Sequence, residues 1–379
     1  MNLLLLIASS RSIQVKENKT MKIALLAPFE ESVPPKRYGG IEIIVYYLAQ
    51  ILTKKGHQVF LLATGDSKTN AKLIPIFPHS IRKEKIAQNI KNRDAIKYIG
   101  VGKIIKELKK IKIDIIHNHI GWRFLPFACL FESPTVTTLH GPLDTPYQQF
   151  IYGQFKKIPV ISISDSQRKP FPNLNYAATI YNGIDIKEFE FNNKPKGDYF
   201  AFLARMSPEK GPVQAIQAAK KAGVKLKMAA KVDAVDKEYF DKEVKPFIDG
   251  EQIKFLGEIK INEKSGFLRN AKGLLAPLRW EEPFGLFMTE AMACGTPVIV
   301  FDRGSARELV NDEKSGFVVK ELDENDKPNV NGLIEAIKKI GQIDRQECRR
   351  WVEEKFTIEK MVDNYEKLFY KILKKHGNI

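Results

Sequence analysis

Short apolar runs alternate with longer amphipathic stretches along the first half of the chain. Five runs have the continuous apolar character of strands buried on both faces of a sheet. They are KIALLAP from Lys22, HQVFLLAT from His57, KIDIIHNH from Lys112, PTVTTLHG from Pro134 and IPVISISD from Ile158. Between the first two, IEIIVYYLAQILTKKG has apolar residues at helical spacing and Gly56 at its end as a C-terminal cap. This alternation predicts a parallel sheet covered by helices.

The same alternation starts again near residue 190, after the polar segment EFEFNNKPKGDYF. A helix is predicted at PVQAIQAAKKAG, with Pro212 in its first turn. The strands of this second series are YFAFLAR, VKLKMAA, IKFLGE, KGLLAP and PVIVF. The chain closes with WVEEKFTIEKMVDNYEKLFYKILKK, a predicted helix or helix pair. We therefore expect two α/β sheets in tandem.

Composition restricts the class of protein. The 379 residues are 44% hydrophobic and include three cysteines, none in a C-x-x-C pair, which argues against a disulfide framework or a zinc ribbon and favours a reducing compartment. The sequence contains no stretch of about 20 apolar residues, so no membrane-spanning helix is predicted. Residues 1–20 make a poor signal peptide, because their apolar run is short and no basic residue precedes it. We expect a cytoplasmic protein in which residues 1–20 are a disordered tail or in which Met21 is the natural start.

The formal net charge of +16 indicates an anionic partner, and the excess is concentrated in residues 21–190. Residues 81–112 form a basic segment in which apolar residues recur between the lysines and arginines. This pattern predicts docking to an anionic membrane surface, with lysine-rich helices covering the sheet as the alternative. Nucleic acid is not expected as a partner, since aromatic residues are not interleaved with the basic ones.

Two loops at predicted strand ends carry groups that suit an anion. The loop FEESVPPKRYGG ends in Gly39 and Gly40 immediately before a helix, where backbone amides can approach a ligand. The loop ARMSPEKG carries Arg205 and Lys210, and two cations at a strand end suit a diphosphate. A ligand-free tight turn and a solvated surface turn are the respective alternatives.

The segment EPFGLFMTEAMACGTPVIV (residues 282–300) combines two carboxylates with many large apolar residues. It follows the predicted strand KGLLAP, and its apolar residues recur at helical spacing. Glu282 is thus expected in a strand-exit loop and Glu290 in the first two turns of a helix that packs on the sheet. Carboxylates at such a crevice suit the hydroxyls of a sugar or ribose, and the backbone near Phe284 and Gly285 offers N–H groups to a phosphate. The alternative is a pair of acids that only stabilise the helix N-terminus.

Three histidines lie at predicted strand ends of the first half. His140 follows the strand PTVTTL and is a candidate ligand-binding residue or a structural histidine. His117 and His119 lie two positions apart on one strand and share a face. No carboxylate or cysteine partner is evident for a metal site. We therefore expect His117 and His119 either to have a structural role or to support the residues that contact the ligand.

These segments together resemble the retaining glycosyltransferases of family 4, from Met21 to about Tyr370. The resemblance rests on Glu282-x7-Glu290, on FLARMSPEKG, on YNGID and on YGGIE. It implies the GT-B architecture, an α/β fold of two Rossmann-like domains that face each other across a cleft. By this resemblance residues 21–190 form the acceptor domain, 191–355 the nucleotide-sugar domain, and 356–379 a helix that crosses back to the first domain.

The resemblance also implies donor-binding residues. Arg205 and Lys210 would bind the donor diphosphate, and Glu290 the ribose hydroxyls. Glu282 would hold hydroxyls of the transferred sugar, helped by a run of backbone groups. That run is Phe284, Gly285, Leu286 and Phe287. The donor would be a UDP-, GDP- or ADP-sugar.

On the acceptor side, the resemblance implies that Gly39 and Gly40 lie at the reaction centre and that His140 contacts the transferred sugar. Such enzymes transfer a hexose-type sugar to a hydroxyl of a glycan, lipid-linked or small-molecule acceptor, with no cofactor and no bound metal. One departure concerns MAAKVD, where Lys231 stands in a region in which the family often has glycines. A sugar-nucleotide epimerase, a phosphorylase and a catalytically silent binding protein remain alternatives.

Overall fold

The structure is a computed structural model that describes residues 19–36 and 39–377. Most of the segment 1–20, predicted as a loose tail or a misassigned start, lies outside these residues.

A parallel sheet of seven strands occupies the first half of the described chain. Its spatial order is β3-β2-β1-β4-β5-β6-β7. The strands are β1 (Lys22–Leu26), β2 (Gln58–Thr64), β3 (Lys72–Phe77), β4 (Ile115–Asn118), β5 (Thr135–Thr138), β6 (Val160–Ser162) and β7 (Tyr176–Thr179). The order reverses at β1, so the carboxyl ends of β1 and β4 flank a crevice of the kind that binds ligands in open α/β sheets.

The second half repeats this plan with six described strands in the order β10-β9-β8-β11-β12-β13. The strands are β8 (Tyr199–Arg205), β9 (Lys225–Lys231), β10 (Ile253–Gly257), β11 (Leu274–Ala276), β12 (Val298–Phe301) and β13 (Gly316–Val319). All of the pairings are parallel. The predicted fold class, two parallel-sheet α/β domains, is confirmed.

Helices cover both sheets. In the first half they are α1 (Gly40–Lys54), α2 (Ile90–Leu108) and α3 (Pro146–Gly153). In the second half they are α4 (Pro212–Ala222), α5 (Lys237–Tyr239), α6 (Ile261–Arg269), α7 (Leu286–Ala293), α8 (Ala306–Leu309), α9 (Val330–Lys339), α10 (Arg345–Lys355) and α11 (Ile358–Lys375). No helix among the described residues is long and apolar enough to cross a membrane.

The last helix, α11, packs against the first domain. Its apolar face is completely or nearly buried and joins the core formed by α1 and β1. The chain crosses between the domains where Ile184 accepts a hydrogen bond from Ile358 N–H at 3.2 Å and donates one to Phe356 C=O at 2.9 Å. The Glu366 carboxylate of α11 forms an ion pair with Lys55, with Nζ 2.6 Å from Oε2. Its other oxygen, Oε1, lies 2.8 Å from His57 Nε2. The core of the first domain therefore depends on the last helix of the chain.

A second contact joins the domains beside the crossing. The Glu308 carboxylate of α8 accepts the backbone N–H groups of Asp165 and Ser166, both at 2.7 Å. The Tyr181 hydroxyl donates to the same carboxylate at 3.1 Å. The Glu308 side chain of the second domain thus binds the backbone of a loop in the first domain.

Candidate active site

A cavity of about 800 Å³ lies between the two domains. Its size falls within the range of small-molecule sites. Every residue predicted for the site lines this cleft. From the first domain these are Gly39, Gly40 and His140, and from the second Arg205, Lys210, Glu282, Phe284, Gly285, Leu286, Phe287 and Glu290.

The loop after β11 positions Glu282, and the helix α7 that follows this loop positions Glu290. Gly285 has φ of +91° and precedes α7, a conformation that favours glycine. The apolar residues of α7 pack into the core of the second domain. Glu282 and Glu290 are each only 8% exposed, and both line the cleft. The large apolar residues of this segment hold α7, and the two carboxylates face the ligand space.

Lys210 and Glu282 form an ion pair at the mouth of β8. The Lys210 ammonium donates to Glu282 Oε2, and the Trp280 indole N–H donates to the same oxygen at 3.2 Å. Lys210 Nζ also lies 4.4 Å from the centre of the Trp280 ring. Both charged side chains are largely buried, which makes their interaction stronger than that of a surface pair. A phosphate in the cleft can therefore meet a lysine that is already fixed in position.

Arg205, at the end of β8, is surrounded by acids. It donates to Glu209, and Arg205 Nε lies 3.3 Å from Asp236 Oδ2. Burial acts to lower the pKa of Arg205, but the hydrogen bond to Glu209 and the charges of Glu209, Asp236 and Asp233 raise it overall. Burial conversely raises the pKa of Asp236. The charge of Arg205 is thus compensated, and a bound diphosphate would compete with carboxylates for it.

Glu290 of α7 pairs with Lys264 of α6 at 2.8 Å. Nearby, Lys231 pairs with Asp233 at 2.6 Å. Both lysines line the cleft, and neither was predicted as a donor-binding residue. Lys264 lies 26 residues from its partner, so no local pattern connects the two.

The glycine loop of the first domain faces the donor loop of the second. A β-carbon at Gly40 would lie 3.9 Å from Leu286 Cδ1, so Gly40 and Leu286 approach each other across the cleft. A β-carbon at Gly39 would lie 2.5 Å from Pro35 Cβ, a distance that a side chain does not tolerate without movement. Two predicted groups, one from each domain, therefore meet at the same point.

Glu42 of α1 was not predicted as a site residue, but it lines the cleft beside this loop. The residue is only 5% exposed. Burial, helped by the charges of Glu30 and Glu31, raises the pKa of Glu42 to about 7. Its position in YGGIE, at the start of a buried helix, was the available sequence signal.

Three histidines of the first domain, His117, His119 and His140, form one hydrogen-bonded chain. His140 Nε2 lies 2.9 Å from His119 Nδ1, and His119 Nε2 lies 3.2 Å from His117 Nδ1. His117 and His119 have 0% and 2% exposure, and burial holds the pKa of both well below the usual 6.5. Burial likewise lowers the pKa of His140 to about 3. The predicted shared face of His117 and His119 is present, and their link to His140 arises because β4 and β5 are adjacent.

Within the described ranges, no group of three or more His, Cys, Asp or Glu side chains is arranged to hold a metal ion.

The fold and the cleft define a class of protein, an α/β protein of GT-B type with a cleft between two parallel-sheet domains. Residues 184–356 match the family described as Glycosyl transferases group 1, and residues 38–188 match Glycosyltransferase Family 4. The chain belongs to this group 1 and family 4 type of glycosyltransferases, and it is a transferase. The predicted membership of the family 4 glycosyltransferases of GT-B type is thereby confirmed.

Named relatives agree with this assignment. Phosphatidyl-myo-inositol mannosyltransferase of Mycobacterium tuberculosis (strain H37Rv) is 26% identical over 335 residues, covering 79% of this chain and 82% of that protein. The crystal structure of AviGT4, a glycosyltransferase involved in avilamycin A biosynthesis, superposes with a TM-score of 0.71 at 22% identity, covering 93% and 98% of the two chains. Anabaena HepE in complex with UDP and glucose gives a TM-score of 0.69 at 18% identity, covering 93% and 100%.

Proposed function

We propose that this glycosyltransferase moves a hexose from a nucleoside-diphosphate sugar to an acceptor hydroxyl with retention of anomeric configuration. The observation that carries the proposal is the convergence of Arg205, Lys210, Glu282 and Glu290 on one wall of the interdomain cleft. Two cations beside two carboxylates match a ligand that has a diphosphate at its centre and polyols at both ends.

The donor would bind to the second domain. Lys210 and the backbone N–H groups at the start of α7 would hold the diphosphate, because a helix N-terminus favours anions. Arg205 would exchange its contact with Glu209 for a phosphate oxygen. Glu290 would accept ribose hydroxyls, and Glu282 would accept hydroxyls of the transferred sugar.

The first domain would complete the reaction centre. His140 would contact the transferred sugar, and the acceptor would enter beside Gly39 and Gly40, where the first domain approaches Leu286 of the second. The bond from the anomeric carbon to the phosphate oxygen breaks as the acceptor oxygen attacks from the same face, and the proton of the acceptor hydroxyl passes to the departing diphosphate oxygen. Lys210 and Arg205 would stabilise the negative charge that develops on the leaving diphosphate, without a requirement for a bound metal.

A thermal-shift series with UDP, GDP, ADP and their sugar conjugates, in EDTA, tests the donor. UDP-glucose is the first probe, because HepE carries UDP and glucose in its structure. A ligand at about 100 times its Kd stabilises the folded state by about 2.7 kcal/mol, so a clear rise in Tm is expected with one nucleotide. The shift should disappear in Lys210→Met and persist in Lys221→Met, an exposed lysine of the same domain. No shift with any nucleotide at millimolar concentration would contradict the proposed donor class.

A second proposal concerns the acceptor side. The exposed surface of α2 and the segment before it carries Ile86, Tyr98 and Ile99, which are 62%, 49% and 57% exposed. The same segment also carries exposed lysines, including Lys91 and Lys106. Apolar side chains within a basic surface suit the interface of an anionic membrane, where a lipid-linked acceptor would be presented to a cytoplasmic enzyme from the inner face.

Co-sedimentation with vesicles decides this proposal. The protein should bind phosphatidylglycerol vesicles at low salt and not phosphatidylcholine vesicles. Ile99→Ser should weaken binding, whereas Ile261→Ser, at an exposed isoleucine of the second domain, should not. Equal binding by the two variants, or none by the native chain, would leave a glycan or small-molecule acceptor as the remaining choice.

A further inference from the structure

The histidine chain continues inward from His117 to two hydroxyl groups. His117 Nε2 lies 2.8 Å from Thr138 Oγ1, and Thr138 Oγ1 lies 3.1 Å from the Tyr365 hydroxyl. Tyr365 belongs to α11 and is 0% exposed, and Thr138 at the end of β5 is 1% exposed. Five side chains thus form an unbroken line of four hydrogen bonds from the deep core to the cleft.

A line of this kind has two possible directions. In the outward direction, Tyr365 donates to Thr138, which donates to His117, and each histidine then donates from Nδ1 to Nε2 of the next. In the inward direction every donor is reversed: each histidine carries its proton on Nε2, and Thr138 donates to Tyr365. Neutral histidine has one N–H and one acceptor nitrogen, so both directions satisfy the rings equally.

The buried end distinguishes the two directions. Among the described residues, Thr138 is the one hydrogen-bond partner of the Tyr365 hydroxyl. The inward direction would therefore leave the Tyr365 O–H without an acceptor in the core, and a buried unsatisfied donor is costly. The outward direction leaves no donor unpaired, because the last N–H is His140 Nδ1–H, on a residue that lines the cleft.

We propose that the buried Tyr365 and Thr138 hydroxyls fix the direction of the chain, so that neutral His140 presents Nδ1–H to the ligand in the cleft. The inference rests on the proposed function, in which His140 contacts the transferred sugar. Tyr365 is then a positioning residue, and it belongs to α11, a helix that does not line the cleft. Burial lowers the pKa of all three histidines, which agrees with three neutral rings.

Such an N–H has a defined use in the cleft. It donates to an oxygen of the sugar, and because the ring is neutral it adds no positive charge beside Lys210 and Arg205. A histidine free in solution exchanges its proton between the two nitrogens and presents a donor for only part of the time. A fixed tautomer removes this conformational cost from binding.

The test is two-bond ¹H–¹⁵N correlation NMR of the full chain labelled with ¹⁵N-histidine, at pH 7.5 and without ligand. The sequence has six histidines, and single variants at His57, His79 and His376 assign the three outside the chain. The expected result is a protonated Nδ1 and an unprotonated Nε2 in each of His117, His119 and His140. A proton on Nε2 of His140, or an imidazolium in the chain, would overturn the proposal.

A matched pair of variants tests the origin of the direction. Tyr365→Phe keeps the Thr138 hydroxyl as the terminal donor, so His140 should remain a single tautomer. Tyr365→Phe combined with Thr138→Val removes both hydroxyls while sharing the same loss of packing at position 365, and both tautomers of His140 should then appear. A single unchanged tautomer in the double variant would show that the hydroxyls do not set the direction. Should the double variant not fold, the spectrum of the native chain still decides.

Kinetics separate positioning from packing. If half of the molecules present the N–H, the KM for the donor rises about twofold with kcat unchanged, because apparent affinity scales with the competent fraction. A fall in kcat alone would contradict positioning. The NMR result does not depend on the donor, so a protein inactive with every nucleotide sugar would refute the proposed function and still report the direction of the chain.

Discussion

The two walls of the cleft use different chemistry. The second-domain wall is charged: Lys210 pairs with Glu282, Lys264 pairs with Glu290, and Arg205 pairs with the acids around it. The first-domain wall also carries charged side chains, among them Lys97 and Arg123, but its predicted site residues are glycines and the end of a neutral histidine chain, beside the buried Glu42, whose pKa burial raises to about 7. A diphosphate leaving group requires preorganised charge, whereas an attacking hydroxyl requires space and direction. The comparison teaches that each wall suits the reactant that it is proposed to hold.

The largest effect is expected from removing a charge on the second-domain wall. Lys210→Met should lower kcat/KM by about 10²- to 10³-fold, since it removes a cation that is proposed to stabilise the leaving diphosphate and leaves Glu282 without its ion-pair partner. Steady-state kinetics with the donor identified by thermal shift would measure this. Lys221→Met is the control and should leave kcat/KM within about twofold of the native value. Equal loss in both variants would remove the distinction between a donor wall and an ordinary basic surface.

A smaller effect is expected from adding a methyl group to the first-domain wall. In Gly39→Ala the new β-carbon would lie 2.5 Å from Pro35 Cβ and 3.0 Å from Glu42 Oε2, so the loop must move. We expect kcat to fall by about tenfold or more, because small displacements at a reaction centre are costly. Gly102→Ala in α2 is the control, since nothing lies within 4 Å of its β-carbon position. Native activity in Gly39→Ala would show that space at this loop is not needed.

Acid should destabilise the first domain through its buried histidine chain. Because the pKa of the chain histidines is lowered in the folded state, the unfolded chain binds more protons below pH 6.5, and stability falls as pH decreases from 6.5 towards 3. Each histidine contributes up to about 1.4 kcal/mol per pH unit. Glu42 acts oppositely between pH 4.5 and about 7, since its raised pKa adds stability as pH falls. The free energy of unfolding measured against pH should therefore show a net loss of stability on the acid side.

Matched variants assign this acid sensitivity. His119→Gln should reduce the slope of stability against pH below 6.5, because it removes one buried titratable ring. His79→Gln, at an exposed histidine, should leave the slope unchanged. An unchanged slope in His119→Gln would place the acid sensitivity elsewhere in the molecule.

The smallest effect is expected at the contact that holds the two walls together. In Glu308→Gln one of the N–H groups of Asp165 and Ser166 would face an amide N–H in place of a carboxylate oxygen. Leaving such a donor unpaired costs about 1–3 kcal/mol where it is buried and less at this partly exposed site, so a modest drop in Tm is expected. Glu335→Gln, which breaks an exposed pair with Lys338, should change Tm very little. An unchanged Tm in Glu308→Gln would show that this contact does not stabilise the assembled domains.

The central strands of both sheets could be predicted because their residues are buried on both faces and form continuous apolar runs. The edge strands β3, β7 and β13 were missed, since β3 contains Pro75 and all three are only partly buried. At an edge, one side of the strand meets solvent and the apolar run that marks a parallel strand is broken.

The location of the site could also be predicted, because ligand groups follow strand ends and strand ends share one edge of a parallel sheet. The pairing within the site could not. Glu290 and Lys264 meet through the packing of α7 on α6, and His140 meets His119 through the adjacency of β4 and β5. Both contacts depend on side chains that are distant in sequence, and no spacing rule encodes them.

The position of α11 has a consequence for how the protein is made on the ribosome. The first domain precedes the second along the chain, but its core is completed by a helix that is translated after the strands of the second domain. At about 5–20 residues per second, the roughly 185 residues between 190 and 375 take on the order of 10–40 s to synthesise. During that interval the nascent first domain exposes the apolar groove that α11 will fill, and the terminal hydroxyl of the histidine chain has not yet been added. The first domain thus completes its core only after α11 has been translated.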